Sequence, residues 1–186
     1  LGADDVSSAA LGLEGILAGY ETAGAVTTFN TNTFTITTPR LDVGQIAAGF
    51  EGNVIGSGTV IVTGTTAGSG LSLYRGSVSA NLSGVGALFK AGMGAVTLSG
   101  DNSGLTGTTR LDAGNLILDY TASNTAKLNA AAALDMRGGT LTINGSSSAA
   151  TTQSATGLTL ASGGASTISI NNGTGQTATL NLGAIT

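Results

Sequence analysis

The sequence predicts an all-β fold, a parallel β-helix (β-solenoid) wound in rungs of about 23 residues, and three observations carry that prediction. The first is a long-range echo. Arg40-Leu41-Asp42-Val43-Gly44-Gln45-Ile46 returns farther along the chain as Arg110-Leu111-Asp112-Ala113-Gly114-Asn115-Leu116. In the same register Gly24-Ala25-Val26-Thr27 returns as Gly94-Ala95-Val96-Thr97, and Asn32 as Asn102. The second is a shorter spacing inside the long one. Leu88, Leu111, Leu134 and Leu158 follow one another at nearly equal intervals, and the long echo covers about three of them. Self-similarity at such periods marks a solenoid, in which each unit buries its apolar face only against its neighbours. The third is a run of apolar-x-apolar triplets between Gly-rich turns.

In chain order, residues 1–24 differ from the rest and are expected to form an N-terminal cap or an irregular first rung. Val6, Ala9, Ala10, Leu13, Ile16, Leu17 and Tyr20 fall near helical spacing, and Asp4, Asp5 or Ser7 can cap the start. Gly12, Gly15 and Gly19 weaken a helix by about 1 kcal/mol each relative to Ala, which leaves helix and irregular strand evenly balanced. A helix there would cover the open sheet edge of a solenoid.

Residues 25–186 are expected to be the β-helix itself. The triplets are Val60-Ile61-Val62, Val96-Thr97-Leu98, Leu116-Ile117-Leu118, Leu141-Thr142-Ile143, Leu158-Thr159-Leu160, Ile168-Ser169-Ile170 and Leu180-Asn181-Leu182. Side chains alternate along a strand, so the first and third residues of each triplet share a face. With Leu88, Leu111, Leu134 and Leu158 at equivalent inward positions, roughly seven rungs at about 4.8 Å each give a rod of about 35 Å. Glycines supply the corner angles, and Pro39, the one proline, leaves the backbone N–H groups nearly all free to pair. Aromatics are 4% of the chain, so aliphatic and small side chains must fill the lumen. Asn53, Asn81, Asn102, Asn144, Asn171 and Asn172 lie near turns, where they bond local backbone or stack as ladders.

One stretch carries a family resemblance. Leu88-Phe89-Lys90-Ala91-Gly92-Met93-Gly94-Ala95-Val96-Thr97-Leu98-Ser99-Gly100-Asp101-Asn102 continues through Thr106-Gly107-Thr108-Thr109 to Ala113-Gly114-Asn115-Leu116. It resembles the autotransporter-associated β-strand repeat of bacterial autotransporter passenger domains. That pattern has a Lys before Gly-x-Gly, apolar-x-apolar-Ser-Gly, an Asn, a Thr-Gly and a closing Gly-x-Leu. Leu105 departs from it, standing where the family commonly places an aromatic. The strong match runs from Leu88 to Leu116, with weaker echoes to Leu182. The resemblance implies a right-handed parallel β-helix, secreted across a Gram-negative outer membrane by a C-terminal β-barrel and found at the cell surface or outside the cell. The alternating strand segments of such a barrel are not in this text, so a passenger segment is expected.

Composition narrows the function classes. With 9% charged residues against 41% hydrophobic and 31 Gly, the 186-residue chain lacks the composition of a disordered one. A net charge of −4, with six scattered Lys and Arg, is not a nucleic-acid footprint. No run of about 18 apolar residues suggests membrane insertion of this segment. The opening Leu1-Gly2-Ala3-Asp4-Asp5 lacks the basic start of a signal peptide and an initiator Met, so a piece of something longer is expected.

The chain has no His and no Cys. His-based triads, thiol nucleophiles and zinc sites of imidazole or thiolate are therefore unavailable. Acid chemistry on polysaccharides would need two carboxylates at a defined separation. Ten exist: Asp4, Asp5, Glu14, Glu21, Asp42, Glu51, Asp101, Asp112, Asp119 and Asp135. The best pair is Asp112 with Asp135, one rung apart and flanked by Arg110 and Arg137; stacked carboxylates would raise one pKa. Against it stands the same Arg-x-Asp text at Arg40 and Asp42, which reads as a repeated surface ion pair. Arg40, Asp42, Arg110, Asp112 and Asp135 are expected on open surface, with no catalytic residue, cofactor or metal. Asp101-Asn102-Ser103-Gly104 starts like an EF-hand loop but lacks its closing Glu, and the Gly-Gly-x-Gly-x-Asp calcium repeat is absent. Three readings remain: a surface-displayed structural or adhesive passenger segment, a self-assembling filament subunit and, weakest, a polysaccharide-active enzyme. Expected partners are further repeats or other copies meeting the solenoid ends, and a host surface or matrix polymer.

Overall fold

The computed structural model of the chain describes residues 5–7, 15–19, 24, 26–66, 70–161 and 164–186. It is a parallel β-solenoid of about six turns. Among the described residues every strand pairing is parallel and there is no helix. Three sheets form the faces, and the chain visits them in turn. Sheet A holds β1 (Asp5–Ser7), β4 (Thr35–Thr38), β7 (Thr59–Val62), β10 (Asn81–Gly84) and β13 (Gly104–Leu105). Sheet B holds β2 (Ile16–Ala18), β5 (Leu41–Val43), β8 (Leu71–Leu73), β11 (Leu88–Lys90), β14 (Thr109–Leu111), β16 (Leu134–Met136), β18 (Thr151–Leu160) and β20 (Ala178–Ile185). Sheet C holds β3 (Val26–Asn30), β6 (Glu51–Ile55), β9 (Gly76–Val78), β12 (Ala95–Leu98), β15 (Asn115–Asp119), β17 (Gly139–Asn144) and β19 (Ser166–Asn171).

The alternation of the triplets decides which residues face in. Val54, Val78, Leu98, Leu118 and Ile143 are register partners in sheet C, and all five are fully buried. Beside them Val96, Leu116 and Leu141 form a second buried column. Full burial of each such side chain contributes about 1.5–3 kcal/mol. Among the described residues, the triplets with exposed members lie in the C-terminal rungs. Ile168 and Ile170 keep 37% and 42% of their surface exposed on β19, which has a neighbour on one side only, and Leu160 keeps 53% at the end of β18, where β20 is the last strand of the sheet.

Rung length departs from the expected regular spacing. Register along sheet B runs from Ile16 to Leu41, Leu71, Leu88, Thr109, Leu134, Leu158 and Ile185. The step from Leu41 to Leu71 is the longest and the next, from Leu71 to Leu88, the shortest. The rungs average about 25 residues. One consequence is that Leu111 does not stack on Leu88 and Leu134. Thr109 takes that place, and Leu111 lies in the adjacent inward column with Lys90 and Met136. A shift of two positions keeps the same face of a strand, so Leu88, Leu111, Leu134 and Leu158 all remain buried.

The described part of residues 1–24 is strand, not helix. β1 pairs with β4 and β2 with β5. The glycines explain it: a Cβ on Gly15 would lie 2.7 Å from Arg40 Cβ, and Gly19 has φ +93°. Both positions serve close contact between rungs. Ala9, Ala10, Gly12, Leu13 and Tyr20 lie outside the described residues.

Sheet A stops at β13, and residues 121–133 close that side of the later rungs. Asn102 N–H donates to Ala126 O (2.8 Å), Thr109 N–H to Ala133 O (3.0 Å) and Thr156 N–H to Ala132 O (3.0 Å), so this segment is tied to the rungs on both sides.

Candidate functional site

The outward column of sheet B brings the predicted charged residues together in an arrangement the text does not show. Register places Leu17, Asp42, Ser72, Phe89, Arg110, Asp135 and Thr159 in one line. Arg110, not Asp112, therefore stands opposite Asp135. Within their own rungs Arg110 Nε donates to Asp112 Oδ1 at 2.7 Å, and Arg137 Nε to Asp135 Oδ2 at 2.8 Å. Asp135 first, then Asp112 at longer range, raise the Arg137 pKa. Charges alternate across the two rungs, so no carboxylate is stacked on a carboxylate and the like-charge repulsion that makes an acid catalyst is missing. The Arg110 guanidinium lies 5.9 Å from the Phe89 ring centre.

Burial also departs from expectation. Arg110, Asp112 and Arg40 are half-exposed and Arg137 is exposed, but the Asp42 side chain is completely buried and that of Asp135 keeps 17%. Asp42 Oδ2 accepts Arg40 Nε at 3.0 Å. The open-surface expectation thus fails for Asp42.

Two lysines that the sequence does not mark as site residues are as buried as Asp42. Lys90 follows Leu88 on the inward side of β11, and its Nζ donates to Ala91 O, Gly92 O and Ala113 O at 2.9, 3.0 and 3.1 Å. It joins the turns of two successive rungs. Burial lowers its pKa to about 8, with the Arg75 charge adding to the shift, so it stays cationic at neutral pH. The inward parity of Leu88-Phe89-Lys90 was the available signal. Lys127, equally buried, donates to Ser99 O (2.8 Å) and Thr125 Oγ1 (3.0 Å), with its Nζ 5.2 Å from the Tyr120 ring centre. Burial lowers its pKa, opposed by Asp101 and Asp119. Tyr120 Oη donates to Gln153 Oε1, which also accepts Leu128 N–H at 3.1 Å; Gln153 Nε2 returns a bond to Leu128 O at 3.1 Å. These bonds hold residues 121–133 in place of sheet A.

That cluster carries a pH signature. Burial pushes the Tyr120 pKa from 10 to about 12, with the Lys127 backbone N–H pulling the other way. The folded chain holds the phenol proton where the unfolded chain loses it. This contribution is fully present below pH 10 and is lost as pH rises through 12, a change of about 2–3 kcal/mol. Lys90 acts with the opposite sign, adding stability as pH rises from about 8 to 10.5. Urea unfolding between pH 10 and 12 should show a decline in the native chain that is largely absent in Tyr120→Phe. Equal slopes in both would contradict this account.

The asparagines divide between turn and ladder roles. Asn171 Nδ2 donates to Asn144 Oδ1 at 2.9 Å one rung away, and Ser77 Oγ to Asn53 Oδ1 at 2.7 Å. Asn102 is buried, accepting Leu82 N–H and donating to Lys127 O. Asp101 Oδ1 accepts Ser103 N–H at 3.0 Å, closing a turn. Two recesses open on the surface. One, of about 240 Å³, is lined by Asn81, Ser83, Asp101 and Ser103. The other, of about 350 Å³, lies between residues 144–147 and 171–174. Among the described residues no group of three or more His, Cys, Asp or Glu could hold a metal ion. Comparison of the chain with family models, with curated proteins and with solved structures found no match.

Proposed function

We propose that the chain is a non-enzymatic structural and adhesive β-solenoid, a passenger-like segment displayed on a bacterial surface. What supports this most is the neutralisation of its charges: Arg40–Asp42, Arg110–Asp112 and Asp135–Arg137 are each engaged as neighbours two residues apart, in the positions an acid–base pair would need. The resemblance of Leu88 to Leu116 to the passenger repeat supplies the location. A polysaccharide-active enzyme is the weaker reading, since Asp112 and Asp135 each face a guanidinium. Fusing the chain ahead of an outer-membrane β-barrel in a Gram-negative host tests the display. Antibody labelling of intact cells is expected, and retention in the periplasm would contradict it.

Exposed Leu160, Ile168, Ile170 and Ile185 on β18, β19 and β20 favour a second reading, in which another copy or further repeats continue the sheets. Sedimentation at high micromolar concentration separates a filament from a monomer.

A further inference from the structure

We infer that the recess between residues 144–147 and 171–174 binds a neutral saccharide. The inference names a partner class for the adhesive half of the function proposed above and rests on it.

The floor of the recess is main chain. A Cβ on Gly173 would lie 1.9 Å from Ser146 O, so no ordinary side chain fits there without displacing the adjacent rung, and one on Gly145 would lie a tight 3.1 Å from Asn171 O. The walls are fixed by hydrogen bonds that use only part of their capacity. Asn171 Nδ2 is bonded to Asn144 Oδ1, and Asn172 Oδ1 accepts Ala178 N–H, both at 2.9 Å. Asn144 Nδ2, Asn171 Oδ1 and Asn172 Nδ2 then have no partner among the described residues, nor do the hydroxyls of Thr121, Ser147 and Thr174 that complete the lining. Two fixed donors, one fixed acceptor and three hydroxyls that can act either way therefore border one cavity of about 350 Å³.

The chemistry of this lining selects its ligand. It contains no cation for an anion and no carboxylate for a cation or metal. An apolar ligand would strip water from the amides without replacing their hydrogen bonds. A neutral polyol, whose every hydroxyl both donates and accepts, satisfies amides and hydroxyls together. No aromatic ring lies in the lining, so a single sugar binds weakly.

The test is titration of the ¹⁵N-labelled whole chain with lactose, maltose, cellobiose and N-acetyllactosamine to tens of millimolar, followed by amide shifts. Saturable shifts confined to Gly145 and residues 171–174 with at least one sugar are expected. They should vanish in Ser147→Trp, whose exposed position lets the indole fill the cavity while the circular dichroism stays native, and weaken at least several-fold in Asn172→Ala. No response to any of the four would overturn the inference. So would shifts that survive Ser147→Trp, or a stronger response to glucuronate than to the neutral sugars. Loss of saccharide binding leaves surface display intact, whereas periplasmic retention of a chain that binds sugar would count against the display alone.

Discussion

Gly76→Val is expected to destabilise the chain by more than about 4 kcal/mol, enough to abolish folding of a domain of ordinary stability. Gly76 opens β9 at φ +123°, a backbone conformation that β-branched residues do not tolerate, and a Cβ there would sit 1.8 Å from Gly52 O in the rung beneath. Both partners are main chain within a paired sheet, so neither can move without breaking the ladder. Gly175→Ala provides the comparison. Its φ is +71°, equally left-handed, but nothing lies within 4 Å of its Cβ position. That change should cost only about 1 kcal/mol. Urea midpoints of the two variants check the pair. Similar losses in both would mean that close rung approach does not constrain Gly76.

Leu116→Ala is expected to cost about 2–5 kcal/mol, as a buried leucine stacked between Val96 and Leu141 leaves a cavity that its neighbours only partly fill. Leu160→Ala should cost less than about 0.5 kcal/mol, because that side chain is already more than half exposed. The two leucines occupy the same kind of triplet in the sequence. The difference is position: Leu116 lies within the middle of sheet C, whereas Leu160 is the last residue of β18, beside the final strand β20. Chemical denaturation of both variants resolves the contrast.

The inward faces were legible because strand alternation has a fixed period of two, which Val96-Thr97-Leu98 and Leu116-Ile117-Leu118 display without interruption. The stacking was legible only approximately. One long rung and two short ones carry the chain from Leu41 to Thr109, whereas the Arg-Leu-Asp echo carries the eye from Leu41 to Leu111. Connections between strands vary in length without disturbing the pairing, so residue counting places Asp112 over Asp135 where pairing places Arg110. The Gly15 and Gly19 positions were ambiguous for a related reason. Glycine weakens a helix and also permits close rung contact, and only the neighbouring rung distinguishes the two. Lys90 was marked by parity as inward, yet charge argues for the surface; the turn carbonyls that solvate it belong to two rungs and are invisible to a linear reading. Nothing local announced Tyr120 and Gln153, which are far apart in sequence and bonded in space. The recess at residues 144–147 and 171–174 depends likewise on which turns are neighbours.

The register of the charged column is the central structural claim, and a cross-link tests it directly. The chain contains no Cys, so introduced thiols have no competitors. Arg110 and Asp135 are register partners, with Cα atoms about 4.8 Å apart, within disulfide range. Asp112 is two residues along the strand from that position, which puts its Cα about 8 Å from that of Asp135, beyond that range. Under mild oxidation the Arg110→Cys, Asp135→Cys double variant should cross-link nearly completely and the Asp112→Cys, Asp135→Cys variant should remain reduced. Efficient cross-linking of the second variant, with none in the first, would contradict the alternating charge arrangement and restore the stacked carboxylates.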